Sequence, residues 1–158
     1  MKHKKLISAL GVLMADAAVL YQKLRNFHWT VRGRHFFVLH AKFEELYGRW
    51  AEFGDSLAER ILVLGGRPLG TLGQILSEAT LSEEKEAVPR AQDMIKMLIS
   101  DIESIRQAMG KAIELAEQEG DRGTINLLDS IRDEQEKTLW MLRTWLDPQE
   151  EGRAGEAS

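Results

Sequence analysis

The stretch that decides the fold runs Leu39-His40-Ala41-Lys42-Phe43-Glu44-Glu45-Leu46-Tyr47-Gly48-Arg49-Trp50-Ala51-Glu52 and resumes at Asp55-Ser56-Leu57-Ala58-Glu59-Arg60-Ile61-Leu62. Set His40 at 0° and advance about 100° per residue, as an α-helix does. Leu39, Phe43, Leu46, Trp50, Leu57, Ile61 and Leu64 then gather between about 240° and 300°, a stripe for a core. Lys42, Glu45, Arg49, Glu52, Ser56 and Arg60 gather between about 120° and 200°, a face for solvent. A third face, from 0° to about 100°, holds His40, Glu44, Gly48, Ala51, Asp55, Ala58, Glu59 and Leu62. Solvent has no use for Gly48 mid-helix, where glycine costs about 1 kcal/mol against alanine. A core has no use for a histidine and three carboxylates, which are costly to bury unpaired. Small residues flanked by ligand-type residues point to close contact with another helix, with metal binding at its edges.

The same periodicity extends in both directions. Leu6, Leu10, Leu13, Ala17, Leu20, Leu24, Phe27 and Val31 predict a first helix from Lys4 to Arg32, stopped by Gly33. The second runs from His35 to Leu64, ended by Gly65-Gly66 with Pro68 beyond. A connection from Gly65 to Val88 carries a short helix at Leu72–Leu76. A third long helix has Pro89 in its first turn and the stripe Ile95, Leu98, Ile102, Ile105, Met109, Ala112, with Gly120 and Gly123 as its breakers. The fourth runs from Thr124 to Leu146, and the Glu- and Gly-rich tail 149–158 is expected to be mobile. The middle connection is some 24 residues, able to reach about 75 Å when extended and so to span a helix of about 45 Å. The expected class is therefore all-α: residues 1–148 form a four-helix bundle with one long crossover holding a short helix, the ferritin-like arrangement.

Composition excludes several alternatives. The 158 residues suit one domain. With no Cys there is no disulfide frame, thiolate zinc site or cysteine nucleophile. Lys and Arg total 21 against 25 Asp and Glu, a net charge of −4, which does not make the body a nucleic-acid surface. The basic start Lys2-His3-Lys4-Lys5 and the apolar run after it imitate a secretory signal, but the helical stripe continues unbroken through the cleavage position. No membrane span is expected, and the protein is read as cytoplasmic.

The pairs His40/Glu44 and Asp55/Glu59 are each spaced i,i+4 and project side by side. Glu44 and Asp55 lie about 16 Å apart along the axis, too far for one metal centre. A two-fold copy packed antiparallel, with its axis near Arg49–Trp50, would bring His40 and Glu44 of one chain to Asp55 and Glu59 of the other, making two equal sites. His28, on the stripe Ala17, Tyr21, Leu24, His28, can add a second imidazole. Two imidazoles and three carboxylates suit iron better than Mg or Ca, although zinc would also bind.

These residues carry a family resemblance. Asn26-Phe27-His28-Trp29-Thr30-Val31-Arg32-Gly33, then Phe36, Leu39-His40, Phe43-Glu44, Asp55, Ala58-Glu59-Arg60-Ile61, Gly65-Gly66 and Pro68 resemble the Dps mini-ferritins, the DNA-binding proteins from starved cells. The likeness is densest over 21–70 and looser at Gly120-Asp121, Thr124 and Trp140-Met141-Leu142. The resemblance implies a dodecameric shell. It also implies a two-iron ferroxidase centre at the two-fold interface, where Fe(II) is oxidised, preferentially by hydrogen peroxide, and stored as ferric mineral. His28, His40 and Glu44 would come from one subunit, Asp55 and Glu59 from the other. Position 44 is often Asp in the family, and the longer Glu44 is expected to weaken the second metal position.

Other features leave alternatives open. Trp29 is either a packing anchor or an electron donor beside the centre, whereas Trp145 fits the last helix's stripe. At the expected three-fold pore, Glu117 and Asp121 form an acidic funnel or the pore is less cation-attracting than usual, since Arg122 and Asn126 stand beside them. DNA is a possible partner through Lys2, Lys4 and Lys5, and a DNA-compacting protein with a structural metal is the rival function. A larger ferritin with its di-iron site inside each bundle needs Glu-x-x-His, which this chain lacks.

Overall fold

The computed structural model describes residues 3–85 and 88–148. Lys2 and the tail 149–158, expected to be mobile, lie outside the described residues. Five helices follow one another: α1 Lys4–Thr30, α2 Phe36–Val63, α3 Leu72–Glu78, α4 Ala91–Glu119 and α5 Arg122–Trp145. The described residues contain no strand. The four long helices make the bundle, and α3 sits in the crossover, as the spacing predicts.

α1 is the spine: it packs against α2, α4 and α3. Leu6, Leu10, Leu13, Leu20, Leu24 and Phe27 are fully buried along one stripe. Among the described residues α1 alone is long and apolar enough to cross a membrane by composition, and that apolarity is spent on the bundle core. The α2 stripe is buried as expected, with Phe53 added and Leu64 only half-buried at the helix end.

Three of the boundaries that differ from expectation have a clear local cause. α1 ends at Thr30, because Val31 turns extended (ψ 140°) to bury its side chain while its N–H still donates to the Phe27 carbonyl. Pro89 lies ahead of α4 instead of inside its first turn. Arg90 is the extended N-cap, and Asp93 in the first turn both favours the positive helix end and accepts from the Arg90 guanidinium at 2.9 Å. α5 begins two residues early, because the Asp121 side chain caps it by accepting from the Thr124 N–H. Gly123 is thus inside α5 and breaks nothing. A Cβ there would stand 2.6 Å from the Arg60 guanidinium, so any side chain at 123 would make the end of Arg60 shift.

Polar side chains lock the helices in register. The buried Asp16 carboxylate on α1 accepts from the Thr80 N–H (2.6 Å), the Thr80 hydroxyl (2.7 Å) and the Leu81 N–H (2.9 Å), tying the crossover to the bundle. Lys23 on α1 pairs with Asp101 on α4 at 2.7 Å. Burial, reinforced by the nearby Asp16 charge, raises the Asp101 carboxyl above its ordinary range despite the Lys23 ammonium. Arg49 reaches Glu134 of α5 through two nitrogens at 2.8 and 2.7 Å, and Arg60 reaches Asp121 and Thr124. The face of α2 assigned to solvent is therefore partly a bridge to α5, because arginine's long stem crosses the gap between neighbouring helices.

Candidate metal centre

α1 and α2 are antiparallel, joined through Val31–His35, so the end of one lies beside the start of the other. This brings His28 against His40. Their rings stack with centroids 3.8 Å apart and planes 17° from parallel. His28 Nδ1 lies 2.7 Å from the His40 carbonyl oxygen, and His40 Nδ1 lies 2.8 Å from the His28 carbonyl oxygen. A carbonyl only accepts, so each Nδ1 carries the hydrogen and donates it. In the neutral ring each Nε2 then keeps its lone pair. A ring nitrogen anchored on a backbone carbonyl, with the opposite nitrogen bare, is how proteins aim histidine at a metal. Phe36 stacks on the outer face of His40 at 4.9 Å, and Tyr47 meets His28 edge-on at 5.5 Å. His28 is buried and His40 half-buried.

The three carboxylates are built otherwise. Glu44, Asp55 and Glu59 are all exposed on α2. The structure joins the two imidazoles to one another and leaves Asp55 about 22 Å and Glu59 about 28 Å along α2 from His40, at 1.5 Å per residue. Among the described residues, no group of three or more ligand-type side chains stands close enough to hold a metal within one chain.

The face bearing these residues is uncovered. Gly48 is half-buried and Ala51 exposed, and a Cβ added at Gly48 would meet nothing within 4 Å. Leu62 at its far end is 58% exposed. Nothing inside the chain asks for a glycine at this position.

The remaining candidates separate. Trp29 is exposed, with the Arg25 guanidinium 4.8 Å from its ring centroid. Trp145 is half-buried against the His35 ring, while Trp140 is exposed. Glu117, Arg122 and Asn126 are exposed, but Asp121 is committed to capping α5 and pairing with Arg60. Burial alone would raise the Asp121 carboxyl; the Thr124 hydroxyl, the Arg60 charge and the Thr124 N–H together hold it below its ordinary value. Sequence reasoning passed over Arg60 as a clamp and Tyr47 as a neighbour of His28. Gly123 beside Asp121 was the available sign for the first; Tyr47, near 340° on the wheel, falls between the faces and gave none.

The family model of the ferritin-like domain matches residues 7–150. A DNA protection during starvation protein 2 from Bacillus anthracis is 40% identical over 92% of this chain and 99% of its own length. The chain belongs to the ferritin-like family, in its Dps branch. The structure of a Dps protein from Bacillus brevis superposes with a TM-score of 0.90 at 37% identity, over 93% of this chain and all of that one. A Dps from Vibrio cholerae O1, described as a member of the ferritin-like diiron-carboxylate proteins, superposes at 0.88 and 37% identity, over 91% of this chain and 90% of that one. The Dps membership agrees with the motif reading over 21–70 and with the long crossover.

Proposed function

We propose that this protein is an iron-oxidising, iron-storing mini-ferritin that consumes Fe(II) and hydrogen peroxide together in the cytoplasm. The observation that carries the reading is the reciprocal His28/His40 pair, whose two bare Nε2 atoms stand at one end of an uncovered α2 face with carboxylates at the other. In the assembled protein a second copy packs its α2 antiparallel on the Gly48/Ala51 face. His28, His40 and Glu44 of one subunit then meet Asp55 and Glu59 of the partner subunit, and six such dimers close a dodecameric shell around the mineral. Iron is the substrate. Two Fe(II) each give one electron to one peroxide, whose O–O bond breaks to two hydroxides. The anionic oxygens favour the ferric product over the ferrous substrate, which drives the step. The diiron-carboxylate description of the Vibrio relative supports this choice of metal.

The test is mixed assembly. His40→Ala and Asp55→Ala homomers should each oxidise Fe(II) slowly. Shells refolded from both chains should regain activity, because some interfaces pair an intact His40 with an intact Asp55. No recovery in verified mixed shells would show that the ligands do not meet across the two-fold axis. A second reading, DNA compaction, has the exposed Lys4 and Lys5 in its favour. Retention on DNA at moderate salt without iron turnover would select it.

A further inference from the structure

α4 and α5 run antiparallel, and ion pairs lace one seam between them. Arg143 pairs with Glu103, and the next rung sets Arg106 against Glu136 at 3.5 Å, too long for a strong hydrogen bond. One turn further, four residues on along α4 and four back along α5, Gly110 comes opposite Arg132. This third rung has a cation on α5 and no side chain on α4. Arg132 is half-buried, and among the described residues it makes no ion pair or hydrogen bond; its Nε is buried without a partner. Arg106 Nε is buried and unpartnered as well, and the side chain of Glu136 is 72% exposed.

A buried N–H with no acceptor has lost its water and gained nothing in return. Arg106 and Arg132 also stand one helical turn, about 5.4 Å, apart along the seam, so their charges repel. Gly110 is a second sign. Glycine weakens a helix interior, yet the Gly110 φ is not positive and a Cβ there would meet nothing within 4 Å. Neither the backbone nor a neighbouring side chain asks for glycine at 110, and its lack of a side chain leaves space beside Arg132. Asp129 and Glu136 share that face of α5, three and four residues from Arg132. Both are exposed to water, and neither pairs with Arg132.

We propose that Arg106 and Arg132 bind one inorganic phosphate in the α4–α5 seam, in the space that Gly110 leaves. Each guanidinium offers its Nε–H and an Nη–H as parallel donors, a fork matched to two oxygens. Two forks present four donors. A carboxylate has two oxygens and saturates one fork, whereas phosphate has four and serves both. The anion also lies between the two cations and cancels their repulsion. Asp129 and Glu136, negative and close by, weaken the binding and keep the anion exchangeable. The site uses no residue of α1 or α2, the helices that carry the proposed iron ligands.

The experiment titrates the assembled, iron-free protein with inorganic phosphate in chloride buffer, followed by calorimetry. The parent should take up phosphate saturably, one per subunit. Arg132→Gln and Arg106→Gln should each weaken that uptake about tenfold or more, with helical content and assembly mass matching the parent. Gly110→Glu supplies the carboxylate that the third rung lacks, and it should abolish the uptake. Phosphate should then raise the Tm of the parent by more than that of Gly110→Glu, a comparison that cancels the general effect of phosphate on protein surfaces. No saturable uptake by the parent, or an Arg132→Gln protein that binds phosphate as the parent does, would overturn the proposal. So would a DNA duplex retained by the parent and released by Arg132→Gln while inorganic phosphate does not bind, which would assign the arginines to a nucleic-acid backbone.

Discussion

The first third of α2 and its last third both carry ligand-type residues, but they are held in opposite ways. At the start, His40 is clasped by α1: its ring stacks on His28, and each backbone accepts the other's Nδ1–H. At the end, Asp55 and Glu59 stand exposed, and the grip on the helix comes from the next residue, Arg60, reaching to Asp121 and Thr124. The imidazole half of the proposed centre is complete within one chain. The carboxylate half has its backbone fixed and its side chains free. The contrast teaches that preorganisation is spent where the ligand is neutral and directional, since an imidazole must aim one lone pair. Carboxylates offer several lone pairs and water solvates them well until a metal arrives, so they tolerate late ordering.

If the face between the two halves is an interface, the largest effect should come from filling it. Gly48→Leu places its side chain where the isolated chain has open space, so the fold should survive. The assembly should not, and light scattering at neutral pH should find a species much smaller than the shell. A full-sized shell from this variant would break the idea that the two halves meet there.

Glu44 tests the imidazole half at its boundary. Glu44→Ala should leave the shell intact and slow peroxide-driven oxidation roughly tenfold, the lower end of what losing a supporting partner costs a metal site. Glu44→Asp should hold the second Fe(II) as tightly or more tightly in a titration before oxidant is added, because the shorter side chain has less rotamer freedom to lose. A parent protein that binds two equally tight Fe(II) per site would contradict the weak-position reading.

Stability should separate the halves next. His28→Ala removes a buried ring and the Nδ1–H that it donates to the His40 carbonyl oxygen, at a cost of about 1–3 kcal/mol. Glu59→Ala should change stability little, since its side chain is exposed. Denaturant unfolding of the two variants at matched subunit concentration measures the gap. Equal losses would mean the carboxylate half is as fixed as the other.

The smallest effect concerns the clamp at the carboxylate end. Asp121→Ala removes a helix cap, worth about 1 kcal/mol, along with the partner of Arg60. Because the folded Asp121 carboxyl lies below its ordinary value, its contribution is present in full above about pH 4 and fades as pH falls through the folded value. The parent should therefore lose stability on acidification more steeply than Asp121→Asn. Parallel acid limbs in the two proteins would show that the clamp is not ionic.

Much of this was legible because α2 prints its environments at helical intervals. Phe43, Trp50 and Leu57 recur on one side, and Gly48 and Ala51 mark a side that neither water nor a core explains. A wheel shows direction but not reach: it turns Arg49 and Arg60 toward solvent, and both cross to α5 instead. For the same reason the sequence offers Asp121 as one candidate carboxylate of a pore and hides its role as a cap. Its two partners are Thr124, three residues away, and Arg60, sixty-one away, and only the first is visible locally.

The sequence by itself determined four amphipathic helices, one long crossover, the i,i+4 spacing of His40/Glu44 and Asp55/Glu59 and the distance between those pairs along one helix. Those follow from backbone geometry, which repeats identically wherever a helix forms. Only the tertiary structure decided that His28 and His40 lock one another's Nδ1–H on backbone carbonyls, that Asp16 staples the crossover through Thr80 and Leu81, and that Tyr47 touches His28. Each is a contact between residues distant in the chain, set by how two helices happen to face across a packed interface. A difference of a fraction of an ångström or a few degrees there is invisible to spacing and decisive for a hydrogen bond.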